Sequence, residues 1–227
     1  MSSELVTNRR QQEATVELSG RSELRTLTGL QVLSTGSYVP PQVVSNEDLA
    51  QLGYDSDWII QRTGIQARRK LPEALATSDM AFAAAERCLD MIEADRDRID
   101  LIVVATMTPD RPAPSTACRL QHHLGIQAAA MDLNAACAGF MYALTTAAQF
   151  VKTGAAREAL VVGADTNTRI INPQDPKTFP LFGDGAGAVL LGPGSDEQGL
   201  LAYTLGAEGS GHDMLSIPGG GSREPMT

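Results

Sequence analysis

The stretch Ala130–Ala164, AMDLNAACAGFMYALTTAAQFVKTGAAREALVVGA, sets the architecture of the chain. It opens on a short strand, Ala130 to Asn134. It closes on a second, Ala159 to Ala164, whose unbroken apolar run predicts a strand buried on both faces. Between them Phe140, Leu144, Ala147 and Val151 recur at spacings of three and four, one face of a helix. Gly154 stops that helix after Thr153. A strand–helix–strand unit of this length joins strands by a right-handed crossover.

The pattern repeats outward. Ile99 to Thr106 (IDLIVVAT) reads as another strand buried on both faces, followed by a loop holding Pro109, Pro112 and Pro114. Ser115 caps a helix that Gly125 ends. Further upstream Ser78 opens a longer helix with Phe82, Ala85, Leu89 and Ile92 on one face. Leu27 to Val39 reads as a strand ending at Pro40-Pro41. Ser45 with Asp48 forms a capping-box pattern for a short helix ending at Gly53, and a second short helix covers Asp57 to Arg62 and stops at Gly64. After a Pro-containing excursion from Asn172 to Pro180, Val189–Leu191 and Leu200–Leu205 are expected to form a closing hairpin. Buried strands alternating with helices define an α/β fold with helices on both faces of the sheet. Three segments are expected: a loose polar extension over 1–25, the folded body over 26–205, and a connecting segment over 206–227.

Composition narrows the function. The 227 residues carry a formal charge of -9, which repels nucleic acid, and aromatics make up only 4%, too few for a base-stacking surface. Three widely spaced cysteines, Cys88, Cys118 and Cys137, do not make a disulfide framework and suit a reducing, cytoplasmic compartment. The three histidines lack metal-ligand partners at useful spacing, so no metal site is expected. Apolar runs fall short of a membrane span, and the first residues lack the apolar core of a signal peptide.

One cysteine stands apart. In Asn134-Ala135-Ala136-Cys137-Ala138-Gly139-Phe140 a strand ends, two alanines turn, and a cysteine begins a helix. The positive end of that helix favours a thiolate, and the small neighbours leave room for a thioester carbonyl. The N–H of Cys137 could contact a developing oxyanion. Two readings stand on these grounds, a nucleophile and an ordinary packed thiol. Cys88, beside a buried stripe, and Cys118, in the first turn of its helix, read as structural thiols.

Five further segments, in order, resemble those of β-ketoacyl-[acyl carrier protein] synthase III, a family of the thiolase-like superfamily. They are Gly36-Ser37-Tyr38-Val39-Pro40, Trp58-Ile59-Ile60-Gln61-Arg62-Thr63-Gly64-Ile65, Pro114-Ser115-Thr116-Ala117-Cys118, Gly183-Asp184-Gly185-Ala186-Gly187-Ala188 and Pro218-Gly219-Gly220-Gly221-Ser222. The resemblance runs from about Thr26 to the last residue and matches the family's N-terminal half only. It implies a thiolase-like half-domain, a mixed five-stranded sheet with helices on both faces. It also implies an acyltransferase that moves an acyl group from acyl-CoA to Cys137. The acyl-cysteine then condenses with malonyl-[acyl carrier protein] to begin fatty acid synthesis, with no cofactor beyond the coenzyme A thioester substrate. A homodimer is implied as well.

The same resemblance assigns supporting residues. Trp58 stacks on adenine, Arg62 one turn on shares its face, and Arg169 completes the sandwich. Phe182 lines the acyl pocket. The basic run Arg62, Arg68, Arg69 and Lys70 is either a docking site for an anionic carrier or a solvated loop. The glycines of Gly183–Gly187 lack the lysine of a P-loop and are expected to pack closely behind the cysteine. Ala113 stands where some family members carry a bulky aromatic beside the acyl pocket, implying primers longer than acetyl. Tyr54-Asp55-Ser56-Asp57 departs from the family's Thr-Ser-Asp-Glu.

The family's catalytic histidine and asparagine lie in segments of the His-Gln-Ala-Asn and Asn-Thr-Ser type, which do not occur in these 227 residues. None of His122, His123 and His212 is expected to replace them. Three expectations follow: a truncated or incompletely recorded synthase, a half-length chain that pairs with a separate second half, or a non-catalytic binding partner. In each the isolated chain is impaired in condensation.

Overall fold

The computed structural model describes residues 23–53 and 55–225. In chain order its strands and α-helices are β1 (Arg25–Thr28), β2 (Leu30–Tyr38), β3 (Gln42–Ser45), α1 (Ser56–Thr63), β4 (Ala67–Lys70), α2 (Thr77–Asp90), β5 (Ile99–Ala105), α3 (Thr116–Leu124), β6 (Ala129–Leu133), α4 (Gly139–Lys152), β7 (Glu158–Thr166), β8 (Asp184–Pro193) and β9 (Gly199–Tyr203). Arg25–Tyr203 forms one compact unit. The segment after Tyr203 belongs to another, where Glu208 accepts hydrogen bonds from the N–H and hydroxyl of Ser210. The extension expected over 1–25 lies outside the described residues up to position 22, and Arg25 already pairs in β1.

Five strands form the main sheet in the order β2-β8-β7-β5-β6. β7, β5 and β6 run parallel, while β8 is antiparallel to both β7 and β2, so the sheet is mixed. Alternation along the strands feeds two cores. Ile102, Val104, Leu160 and Val162 face α2 and α3 on one side. Leu101, Val103 and Val161 face α4 on the other. The α/β class with helices on both faces is therefore as the sequence indicated.

Small residues set the spacing of the first layer. The buried residues of α2 are Thr77, Ser78, Met80, Ala81, Ala84, Ala85, Cys88 and Leu89, a wider face than the stripe read from sequence, of which Phe82 is only partly buried. Ile92 falls beyond the helix and is exposed. A Cβ added at Gly36 would lie 2.2 Å from the Ala84 carbonyl oxygen and 2.4 Å from the Cys88 nitrogen. The helix backbone thus rests directly on β2. Cys88 is fully buried with its sulfur 3.3 Å from the Ser34 hydroxyl, and burial raises its thiol pKa. Its reading as a core thiol stands.

Three local readings differ. The expected hairpin of Val189–Leu191 and Leu200–Leu205 does not form, because β8 is taken on both edges by β2 and β7 while β9 pairs with β1. From Asp184 the glycine-rich segment is instead the start of β8, with Asp184 and Gly185 paired to β7 and Ala186–Ala188 held extended by ladders to both β7 and β2. β3 and β4 pair antiparallel, a two-stranded element masked in the sequence by the charges of Ala67-Arg68-Arg69-Lys70.

Candidate active site

β6 delivers the chain to Cys137. Past Leu133 the Asn134 side-chain oxygen accepts the N–H of Ala136 at 3.1 Å, and Ala136 adopts φ +46°. A non-glycine residue in the left-handed region costs about 1–3 kcal/mol and is found where the surroundings impose it. Here the strained residue immediately precedes the cysteine. Ala136–Ala138 is a 3-10 turn, and α4 begins only at Gly139. Cys137 therefore stands just before the α-helix rather than in its first turn. No side chain caps α4, and its first N–H, that of Gly139, donates to the Ala136 carbonyl of the preceding turn. The Cys137 side chain is exposed.

The start of α4 is pinned by contacts beneath it. Gly139 is buried, and a Cβ there would meet the Ala105 side chain at 3.6 Å. Phe140 lies over Gly163, where an added Cβ would come within 3.2 Å of the ring. Gly163 of β7, rather than the glycines of 183–187, gives the close approach behind the cysteine turn. The latter face β2 and β4: a Cβ at Gly183 would meet Arg68 Cβ at 3.0 Å, and one at Gly185 the Tyr38 oxygen at 3.6 Å.

A second cluster forms on α1. Asp55 caps the helix, its Oδ1 accepting the N–H of Trp58 at 2.6 Å. Asp55 thus supplies a polar contact in the segment that departs from the family pattern. Ile59 is buried and anchors the helix, leaving Trp58 38% exposed. The Arg62 guanidinium sits 5.1 Å from the Trp58 ring centroid. The pairing of Trp58 with Arg62 expected from their spacing is present.

Arg169 ends a 3-10 turn, Asn167–Arg169, after β7. Its Nη2 donates to the carbonyl oxygens of Pro72, at 2.9 Å, and of Leu75. Edge-on hydrogen bonds of this kind fix a guanidinium while leaving its flat faces free. Phe182, half-buried and extended, follows the 3-10 turn Phe179–Leu181 and leads into β8.

Two sequence readings are corrected. Arg68 is buried at 7% exposure and is no part of a solvent-facing docking patch. Its guanidinium donates to the carbonyls of Val44, Ser45 and Pro180 and to Asn46 Oδ1, bracing β3 against the turn before Phe182. Burial lowers its pKa. Arg69 donates to the Pro40 carbonyl at 3.0 Å. Cys118 is exposed, with the Ser115 hydroxyl 3.1 Å from its sulfur, and is not a core thiol. The cap that places it was legible: Ser115 Oγ accepts the N–H of Cys118. His122 and His123 end α3, with His123 edge-on to Phe82.

Sequence reasoning passed over Ala136, which carries no signal of strain, and Asp184. An acidic residue at the head of an apolar strand was the available clue to the latter, because such a carboxylate needs donors. Among the described residues no group of three or more His, Cys, Asp or Glu side chains is placed to hold a metal ion, and no helix is long and apolar enough to cross a membrane.

A mixed sheet between helix layers, with a cysteine on a strained turn between strand and helix, defines a thiolase-like chain. Comparison with known proteins narrows it. The family model for 3-oxoacyl-[acyl-carrier-protein (ACP)] synthase III matches residues 131–209. The chain is 55% identical over 219 residues to β-ketoacyl-[acyl-carrier-protein] synthase III of Rhodopirellula baltica, covering 88% of this chain and 64% of that protein. It is 52% identical over 189 residues to the synthase III of Geobacillus kaustophilus, covering 82% and 61%. Among solved structures it matches the synthase III of Thermus thermophilus with TM-score 0.77 and 41% identity, over 80% of this chain and 57% of that one. A 3-oxoacyl-(acyl-carrier protein) synthase of Burkholderia xenovorans matches with TM-score 0.82 and 27% identity, over 90% and 59%. The chain is thus similar to β-ketoacyl-[acyl carrier protein] synthase III proteins over most of its own residues, and it spans somewhat under two thirds of the length of the curated relatives it matches.

Proposed function

We propose that this chain carries the acyl-accepting part of a β-ketoacyl-[acyl carrier protein] synthase III, with Cys137 as nucleophile and acyl-CoA as donor. The observation that carries this reading is the exposed Cys137 sulfur on a turn strained at Ala136, directly before a helix with no side-chain cap. The Cys137 thiolate attacks the thioester carbonyl, and the oxyanion that develops is met by the backbone N–H of Cys137 itself. The carbonyl–sulfur bond to coenzyme A breaks, and the coenzyme A thiolate leaves and takes up a proton. The acyl-cysteine so formed stores the group for attack by the carbanion of decarboxylated malonyl-[acyl carrier protein]. Trp58 and Arg62 hold the adenine, and Arg169 offers a flat face to the same nucleotide. Phe182 borders the acyl chain.

The finer features follow from the same reading. The coenzyme A thioester is a substrate, and no further cofactor takes part. The family's histidine and asparagine segments are not in this sequence, so the isolated chain is impaired in condensation. Ala113, small where some family members carry a bulky aromatic, is read as leaving room for primers longer than acetyl. β6 is the last strand of the main sheet, and its outer edge supports pairing with a second copy. Three free cysteines support a cytoplasmic location.

Intact-mass analysis of the chain after incubation with acyl-CoA tests the proposal. One acyl adduct, absent from Cys137→Ala, is expected. An adduct that persists in Cys137→Ala, or none on the wild-type chain, overturns it. Comparing acetyl-CoA with branched and longer acyl-CoAs tests primer length, and a strict acetyl preference overturns that part.

A further inference from the structure

We propose that Asp184 is a positioning residue for coenzyme A recognition, acting through Arg169. The assignment rests on the nucleotide-binding reading of Arg169 given above.

Asp184 opens β8 and is 5% exposed, a buried carboxylate at the end of the main sheet. Its oxygens receive three hydrogen bonds from two separate segments. Oδ1 accepts the N–H of Thr168 at 2.9 Å, and Oδ2 accepts the Thr168 hydroxyl at 2.7 Å. Oδ2 also accepts the N–H of Leu71 at 2.7 Å. Thr168 is the residue before Arg169, and Leu71 is the residue before Pro72. One carboxylate therefore holds the base of the arginine and the base of the loop whose Pro72 and Leu75 carbonyls receive its guanidinium.

The carboxylate form is required. Three donors converge on acceptor oxygens, and an ionised carboxylate accepts at both while donating at neither. An asparagine in its place must turn an NH₂ group toward at least one N–H or O–H. That opposition leaves a buried donor unpaired and pushes the two segments apart. Arg169 would then lose its fixed edge, and the order of its flat face with it. The acyl-accepting turn at Cys137 is reached through β6 and α4, not through either segment held by Asp184. The consequence should therefore fall on the nucleotide end of the substrate.

The test compares two donors that differ only in the nucleotide, acyl-CoA and the matching acyl-pantetheine, in Cys137 acylation followed by intact mass. Asp184→Asn should raise the half-saturating acyl-CoA concentration about tenfold, while the acyl-pantetheine rate changes less than about twofold. Asp184→Asn combined with Arg169→Ala should be no weaker on acyl-CoA than Arg169→Ala alone. If circular dichroism shows Asp184→Asn unfolded, Thr168→Val removes one of the three bonds and should shift the same parameter about threefold. An equal loss on both donors, or full additivity with Arg169→Ala, overturns the positioning role and leaves Asp184 purely structural. A wild-type chain acylated by neither donor overturns both this role and the acyl-transfer reading beneath it.

Discussion

The Arg62 guanidinium lies 5.1 Å from the centre of the Trp58 ring, one helical turn further along α1. The pair is held by α1 itself, with Asp55 capping the helix on one side and buried Ile59 anchoring it below. Cation–π contacts of this kind contribute about 0.5–2 kcal/mol, depending on desolvation. Arg62→Ala should therefore weaken coenzyme A binding roughly twofold to thirtyfold. Trp58 is the only tryptophan, so its fluorescence reads the titration directly. An unchanged affinity would remove Arg62 from the clamp.

Thiol accessibility separates the cysteines. Iodoacetamide should modify Cys118 and Cys137 in the native chain and reach Cys88 only after unfolding. Prior incubation with acyl-CoA should protect Cys137 alone. Peptide mapping after a timed reaction checks both statements, and protection spread over Cys118 would count against Cys137 as the acceptor.

Gly36→Ala should be among the more damaging single-methyl additions in this chain. Its Cβ would sit 2.2 Å from the Ala84 oxygen and 2.4 Å from the Cys88 nitrogen, both backbone atoms that no rotamer change relieves. Overpacking costs typically about 1–3 kcal/mol, and a backbone obstacle places this site at the upper end or beyond. Urea unfolding followed by circular dichroism measures the loss.

The ion pair of Asp100 with Arg157 predicts a pH dependence. Hydrogen bonds from Arg157 hold the Asp100 pKa down at about 2, against an ordinary value of 3.8. A carboxylate with a lowered folded-state pKa contributes stability that is present above about pH 4 and lost as pH falls toward 2. Wild type should be more resistant to urea than Arg157→Ala near neutrality, and the difference should close over that interval. The pair is solvent-exposed, so raising the salt concentration should narrow it as well.

Buried strands and capped helices were the legible part of this fold. Ile99–Ala105 and the strand over 158–166 announce themselves by unbroken apolar runs, and Ser115 with Gly125 marks both ends of α3. Legibility failed where partners, not residues, decide the conformation. Asp184–Ala188 has turn-like composition and is extended because β7 pairs along all of it and β2 along its second part. Arg68 looks like a surface charge and is buried because four oxygen acceptors from distant segments meet it. At the candidate site the cysteine was visible through its small neighbours. The left-handed Ala136 was not, since alanine offers nothing to distinguish a strained backbone from a relaxed one.

The ladder between β2 and β8 also sets a timetable. Leu30 pairs with Pro193, and Tyr38 with Ala186, so β2 leaves the ribosome long before β8, the strand it pairs with on the main sheet. At synthesis rates of about 5–20 residues per second the wait is on the order of ten seconds. Through that interval Leu30–Tyr38 has α2 as a neighbour but no strand to pair with on the main sheet. Nascent chains stalled before Asp184 should therefore be the most readily captured by chaperones, and release beyond Pro193 should end that dependence.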